Sequence, residues 1–174
     1  MQMLEAARIC AENNPNVQFL FVGTVTPYNL IAQMNDFILS NGLQANVELK
    51  DAVPFSEIGL LYEQSRVGVG IFMPIPTHRI IMPIKMFEYM HYGLPVVASN
   101  FGHIGDIIVT NNAGLTVDPT SPQEIANALI LLLNDEYLYT ELSANGQKAV
   151  AEKYRWEQEV EKLLALYAEL LASK

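Results

Sequence analysis

The alternation of continuous apolar runs with helix-spaced segments constrains this 174-residue chain more than any other feature. Residues 17–23, VQFLFVG, form a short, almost unbroken apolar run closed by glycine. That is the pattern of a strand buried on both faces of a parallel sheet. Ahead of it, residues 2–13 carry Leu4, Ala7, Ile9 and Cys10 at near-helical spacing. Asn13, Asn14 and Pro15 end that helix, because proline disfavours helical backbone in the residue before it. The unit then recurs. A helix over about 28–41 leads through Gly42 to a strand near 47–49, and a helix near 55–65 leads to a strand over 66–72. A helix near 84–92, ended by Tyr92 and Gly93, leads to a strand over 95–99, and residues 113–117 form one more. Strands alternating with helices imply βαβ units, a parallel sheet and right-handed crossovers. The expected fold is α/β, a doubly wound, Rossmann-like parallel sheet with helices on both faces.

After Asp118 and Pro119 the pattern becomes helical. Ser121 stands as an N-cap, Pro122 at the first helical position and Glu124 three residues after Ser121, the spacing of a capping box. Helices over 136–153 and 156–172 follow. The last carries Val160, Leu163, Leu164, Tyr167, Leu170 and Leu171 on one stripe, a face expected to pack on its own domain, the other reading being that it leans on a partner domain of a two-domain protein. A parallel sheet of this kind usually opens with a strand, whereas this pattern opens with a helix. The expectation is a single domain over 1–174 that lacks its first strand and belongs to a longer, two-domain protein.

Composition narrows the function. Hydrophobic residues make up 51% and charged residues 17% of the chain, a core-rich globular balance. The net charge of −9 and ten scattered Lys and Arg residues argue against a nucleic-acid partner, whose phosphate backbone needs clustered cations. A single diphosphate needs only one or two positive groups and a helix N-terminus, which an acidic protein can supply locally. The one cysteine, Cys10, excludes an internal disulfide and reads as core filling. No apolar run reaches the length of a membrane span and no secretory signal opens the chain, so it reads as cytoplasmic.

In open α/β sheets ligands sit beyond the carboxyl ends of the strands. The richest loop there is 72–99, which follows a buried strand, holds three prolines before a helix opening near Pro83 or Ile84, and continues into the 95–99 strand. The free amides of that first turn and the helix dipole form an anion site. Lys85 lies within the turn, where a cation opposes the dipole; an anion bound alongside accounts for it, and so does a solvated surface lysine. Glu88 lies three residues on, among Met86, Phe87, Tyr89 and Met90. A carboxylate in such company requires hydrogen-bond donors. Paired ribose hydroxyls are one source, and an i, i+3 ion pair with Lys85 is the other reading. His78, His91 and His103 lack metal-ligand spacing, so no metal site is expected. His78 and His103 remain candidates for a hydrogen bond to phosphate or sugar.

The run Pro83-x-Lys85-x-Phe87-Glu88-Tyr89-Met90, then Gly93-Leu94-Pro95-Val96-Val97-Ala98-Ser99, closely resembles the donor-site signature of group-one (family four) retaining glycosyltransferases of the GT-B type. Ile107-Ile108 with Ala113-Gly114-Leu115-x-Val117-x-Pro119 is similar to that family's stretch after its Gly-Gly loop. Gly23 closing a strand, and residues 47–54 before Tyr62, also fit. The resemblance implies the donor half of an enzyme that moves a sugar from a nucleotide diphosphate-sugar to a glycan or lipid-linked acceptor. It implies that Glu88 binds the ribose hydroxyls and that amides near Met82, Pro83, Ile84 and Lys85 hold the diphosphate. The stretch containing Asp51 and Val53 lies near the base. The partners implied are the nucleotide-sugar donor, an N-terminal acceptor domain of the same protein and, through the full-length protein, a membrane surface; no cofactor or metal is implied.

This chain departs from the family pattern at several positions. Ile80 stands where many members carry a first glutamate facing the donor sugar. The usual Gly-Gly before a glutamate reads as Gly102-His103 with Asp106. Asp51 replaces a common glycine and is expected to tolerate its left-handed geometry. The family's phosphate-binding basic pair belongs to the absent first strand-loop-helix, so the chain alone is expected not to catalyse transfer. These departures keep open the alternative of a degenerate nucleotide-binding module without catalysis. A sugar-nucleotide epimerase of similar fold needs a set of acid/base carboxylates or histidines that is not visible here.

Overall fold

The computed structural model describes residues 1–172, without the side chains of Tyr28 and Gln158. Helices and parallel strands alternate as expected: α1 (Gln2–Asn13), β1 (Phe19–Val22), α2 (Tyr28–Ser40), β2 (Val47–Lys50), α3 (Phe55–Glu63), β3 (Gly68–Gly70), α4 (Ile84–His91), β4 (Val96–Ser99), α5 (Gly102–Asn111) and β5 (Gly114–Val117). Three helices follow: α6 (Pro122–Asn134), α7 (Glu136–Lys153) and α8 (Trp156–Ala172). A short 3-10 turn, Pro76–Arg79, lies in the loop between β3 and α4.

The strands pair in parallel throughout, but as two hydrogen-bonded sheets, β1-β2 and β3-β4-β5, where one sheet was expected. Among the described residues no strand precedes α1. A shared helical layer joins the two sheets. Ala6 and Cys10 of α1 pack with Ile125, Ala126 and Leu129 of α6 over Val97 and Val117, with Phe19 of β1 and Val69 of β3 at the margin. Leu4 and Ala7 of the same helix meet Met34 and Ile38 of α2 over Val47. On the opposite face Met86 and Met90 of α4, Ile104 and Ile108 of α5, and Ala149 of α7 cover Val96 and Ala98. Successive residues of a strand face opposite sides. Val97 therefore serves one core and its neighbours the other, and all four residues of β4 are buried. This is the doubly wound arrangement.

Local signals behave as their chemistry dictates, with exceptions. The amide of Glu124 donates to Ser121 Oγ at 3.2 Å, and Pro122 opens α6. The return half of the capping box is redirected: the Glu124 carboxylate accepts from the amide of Asp118 at 3.0 Å. Cys10 fills the core, its thiol near the carbonyl of Ala126, and burial pushes its pKa up to about 11. The strand expected over 66–72 is only three residues long. The stripe of α8 does not pack on its own domain: Leu163, Leu164, Tyr167, Leu170 and Leu171 are all exposed, Leu171 at 73%. Asp51 does not adopt a left-handed backbone; Asn112 is the one non-glycine described with positive φ. No described helix is long and apolar enough to cross a membrane.

Candidate functional site

The long loop after β3 is tied to the sheet at its first residues. The amide of Phe72 donates to Ser99 Oγ at 2.8 Å, and the Ser99 hydroxyl donates to the Phe72 carbonyl at 2.9 Å. This fixes the Phe72 ring at the carboxyl edge of the sheet. His78 closes the loop on itself, its Nδ1–H donating to the carbonyl of Met73 at 2.8 Å and its ring edge meeting Phe72. With Nδ1 so engaged, Nε2 of the neutral ring is an acceptor, and only the protonated ring has a donor left for a phosphate. The 3-10 turn rests on the start of α5, because a Cβ on Gly102, at φ +61°, would overlap the carbonyl of Arg79. His103 is exposed in the first turn of α5.

Pro83 is the N-cap of α4, with φ −68° and ψ 124°, and Ile84 is the first helical residue. The amide of Met86 closes the first turn on the Pro83 carbonyl at 3.1 Å. The amides of Ile84 and Lys85 precede that bond, and no capping side chain covers the end. The helix lies directly on β3: a Cβ at Gly68 would overlap the Tyr89 ring, and one at Gly70 the sulfur of Met86. The two glycines set how closely the helix approaches and therefore where its free end points. Tyr92 and Gly93 stop the helix as the sequence predicts, with Gly93 at φ +72° and Leu94 donating back to the Tyr89 carbonyl.

The side chains of this helix divide by chemistry. Met86 and Met90 are buried, while Lys85 and Glu88 are half-buried beside them. Lys85 Nζ sits 5.1 Å from the centroid of the Phe72 ring, and desolvation lowers its pKa from the ordinary lysine value. The two residues do not form the i, i+3 ion pair; among the described residues no carboxylate pairs with Lys85. Glu88 instead accepts a 2.8 Å hydrogen bond on Oε2 from the hydroxyl of Tyr62 on α3. Burial first, and then Glu88, pushes the Tyr62 phenol well above its usual range; the same causes push Tyr89 up to about 12. Tyr62 meets the rings of Tyr89 and Tyr92 edge to face, each at 5.3 Å.

Asp51 and Val53 lie in the extended stretch between β2 and α3, Asp51 exposed and Val53 half-buried. The stretch leads into α3, which carries Tyr62, the hydrogen-bond partner of Glu88. Met82 and Ile84 are exposed at the helix opening, and Ile80 is 74% exposed in the loop before it. Sequence reasoning missed the roles of Phe72, Ser99 and Tyr62. The signal for Tyr62 was a polar-tipped ring among the apolar residues of α3. Among the described residues no group of three His, Cys, Asp or Glu side chains is placed to hold a metal ion. A shallow depression lined by Arg8, Glu12, Asn41 and Asn46 opens at the amino ends of β1 and β2, the end away from the one where such sheets bind ligands.

A doubly wound parallel fold with an uncovered helix end and a carboxylate one turn deeper, both at the carboxyl edge, defines the class of α/β domains that take ligands at that edge. Within it, this chain belongs to the glycosyl transferases group 1 family, whose model matches residues 1–149. An uncharacterized glycosyltransferase of Methanocaldococcus jannaschii is 26% identical over 141 residues, 81% of this chain and 38% of that protein. Sucrose-phosphate synthase of Thermosynechococcus elongatus superposes with a TM-score of 0.82 at 22% identity, over 99% of this chain and 43% of that one. The Anabaena protein HepE, in a crystal structure with UDP and glucose, superposes with a TM-score of 0.78 at 21% identity, over 99% and 44%. The chain thus spans less than half the length of these relatives. The fold is that expected of a GT-B carboxyl-terminal domain.

Proposed function

We propose that this chain is the donor-binding half of a retaining glycosyltransferase that moves a sugar from a nucleoside diphosphate-sugar to a glycan or lipid-linked acceptor. The diphosphate lies against the amides of Ile84 and Lys85 at the opening of α4, between Pro83 and the exposed Met82. The Lys85 ammonium neutralises part of its charge. Glu88 receives the ribose hydroxyls, and the 51–53 stretch borders the base. His78 and His103 flank the sugar side. The acceptor is held by an N-terminal domain, and the cleft between the two closes over the donor. Where the acceptor is lipid-linked, the full-length protein works at the cytoplasmic membrane surface. The reading needs no metal, since one cation and a helix end suffice to bind a diphosphate.

The observation that carries this reading is the separation of Lys85 from Glu88. Two opposite charges three residues apart on one helix are within reach of each other. Here Glu88 is held by Tyr62, and the desolvated Lys85 has no carboxylate partner among the described residues, so the site presents a cation and, apart from it, a carboxylate with acceptor capacity to spare. The unpaired cation fits a diphosphate; the carboxylate fits a diol.

Calorimetric titration of the chain with UDP, GDP and their sugar conjugates tests the reading. At least one pair should bind, and Glu88→Ala should weaken it about tenfold or more, the loss of hydrogen bonds to a charged group. Binding to none of them would favour a degenerate module. The chain alone is expected to bind donor without transferring sugar.

A further inference from the structure

We propose that Tyr62 is a positioning residue for the donor site: its hydroxyl holds the Glu88 carboxylate in the one orientation that receives a ribose diol, and so sets the preference for ribonucleotides over 2′-deoxyribonucleotides. The inference rests on the reading of Glu88 given above.

Glu88 stands on a helix, half-buried and without a basic partner among the described residues. A carboxylate so placed samples several rotamers unless something fixes it. Tyr62 fixes it at 2.8 Å on Oε2. The tyrosine is itself pinned, with edge contacts to Tyr89 at 80° and to Tyr92 at 62°, so its hydroxyl has little freedom. Tyr89 and Tyr92 belong to the same helix segment as Glu88, so the donor and acceptor of this bond move together. A carboxylate offers about four acceptor sites. Tyr62 takes one on Oε2, which leaves the outer oxygen and one remaining lone pair for the two hydroxyls of a vicinal diol. The burial that raises the phenol pKa keeps it a donor at neutral and mildly alkaline pH. α3 has no fully buried residue of its own, and this bond joins the ring contacts and the close approach of Gly59 to the Tyr92 side chain where it meets the α4 segment.

The test compares dissociation constants for UDP and GDP with those for their 2′-deoxy counterparts, using the whole chain. Unaltered protein should prefer the ribonucleotide, and Tyr62→Phe, which keeps the ring packing, should reduce that preference about fivefold or more. In a Glu88→Ala background Tyr62→Phe should change nothing further, since a positioning residue acts only through the group it positions. A purely structural role would weaken ribo- and deoxyribonucleotide binding equally, and an unchanged ratio in Tyr62→Phe overturns the proposal while leaving Glu88 in place. Absence of any ribose preference in the unaltered protein would instead overturn the reading of Glu88 on which it rests. Should Tyr62→Phe fail to fold, near-ultraviolet difference absorbance of the unaltered chain decides. UDP or GDP should perturb a tyrosine signal that the 2′-deoxy ligand does not, and identical perturbation by both would contradict the proposal.

Discussion

Ser99 and Phe72 exchange two hydrogen bonds at the carboxyl edge of the sheet, through the Ser99 hydroxyl and both backbone polar groups of Phe72. Ser99 is fully buried, so the pair links the last residue of β4 to the start of the loop that frames the site. The same bonds hold the Phe72 ring under the Lys85 ammonium. A single buried hydroxyl therefore anchors the backbone of the residue whose ring faces the cation.

Ser99→Ala should destabilise the domain by about 0.5–2 kcal/mol, because it removes both hydrogen bonds and leaves the half-buried Phe72 amide without its acceptor. Urea denaturation measures this as a lowered midpoint at unchanged slope. An unchanged midpoint would mean that water or another group replaces the hydroxyl.

Gly68→Ala should cost about 1–3 kcal/mol, since the added methyl group meets the Tyr89 ring and α4 must lift from β3. The displacement also moves Glu88, so nucleotide affinity should fall with stability. The same two measurements, denaturation and calorimetry, check both halves.

Lys85 gives a prediction of opposite signs. Its ammonium is desolvated, with no carboxylate partner among the described residues, so Lys85→Met should stabilise the unliganded domain by about 0.5–2 kcal/mol while weakening nucleoside diphosphate binding about tenfold. Thermal unfolding and calorimetry on the same variant test the pair of signs.

The pH dependence follows from the same group. Its folded pKa lies below the unfolded 10.5, so between the two values the unfolded chain binds more protons, and stability contributed by this group rises with pH. Below the folded pKa both states are charged and the full desolvation cost is present. A bound diphosphate favours the charged form, so its affinity should fall as pH rises through the folded pKa, accompanied by proton uptake on binding. Lys85→Met should abolish both effects.

Much of this fold was legible because the runs at 17–23 and 95–99 are apolar without alternation, as parallel strands often are. The second is buried on both faces, but the first leaves Leu20 and Val22 exposed, so the two-faced burial expected of it is not found. The helix opening at Pro83 was legible for a similar reason, a proline ahead of a helix-spaced segment. α5 was not, because GHIGDIIVTN has two glycines and a cluster of β-branched residues, and only its packing of Ile104 and Ile108 makes it helical. The stripe on α8 misled because helical spacing shows that a face exists, not what covers it. Within the site, Lys85 and Glu88 were readable from spacing, but which of them pairs with what was not. Tyr62 is 26 residues from Glu88 in sequence, and no local periodicity connects them.

Removing the chain from Trp156 onward should leave the unfolding free energy of the remaining body within about 0.5 kcal/mol, because the apolar stripe of α8 is exposed. Tyr154, which packs on Phe87 and bonds Asn111, stays in that truncation. A loss of several kcal/mol would show that α8 contributes to the core.

A crystal structure of the chain with the tighter of UDP and GDP bound addresses the site most directly. The account predicts both ribose hydroxyls within hydrogen-bond distance, about 2.7 Å, of the Glu88 carboxylate. It also predicts phosphate oxygens at the amides of Ile84 and Lys85. A nucleotide bound elsewhere on the domain, or one whose ribose leaves Glu88 bonded to Tyr62 alone, would contradict it.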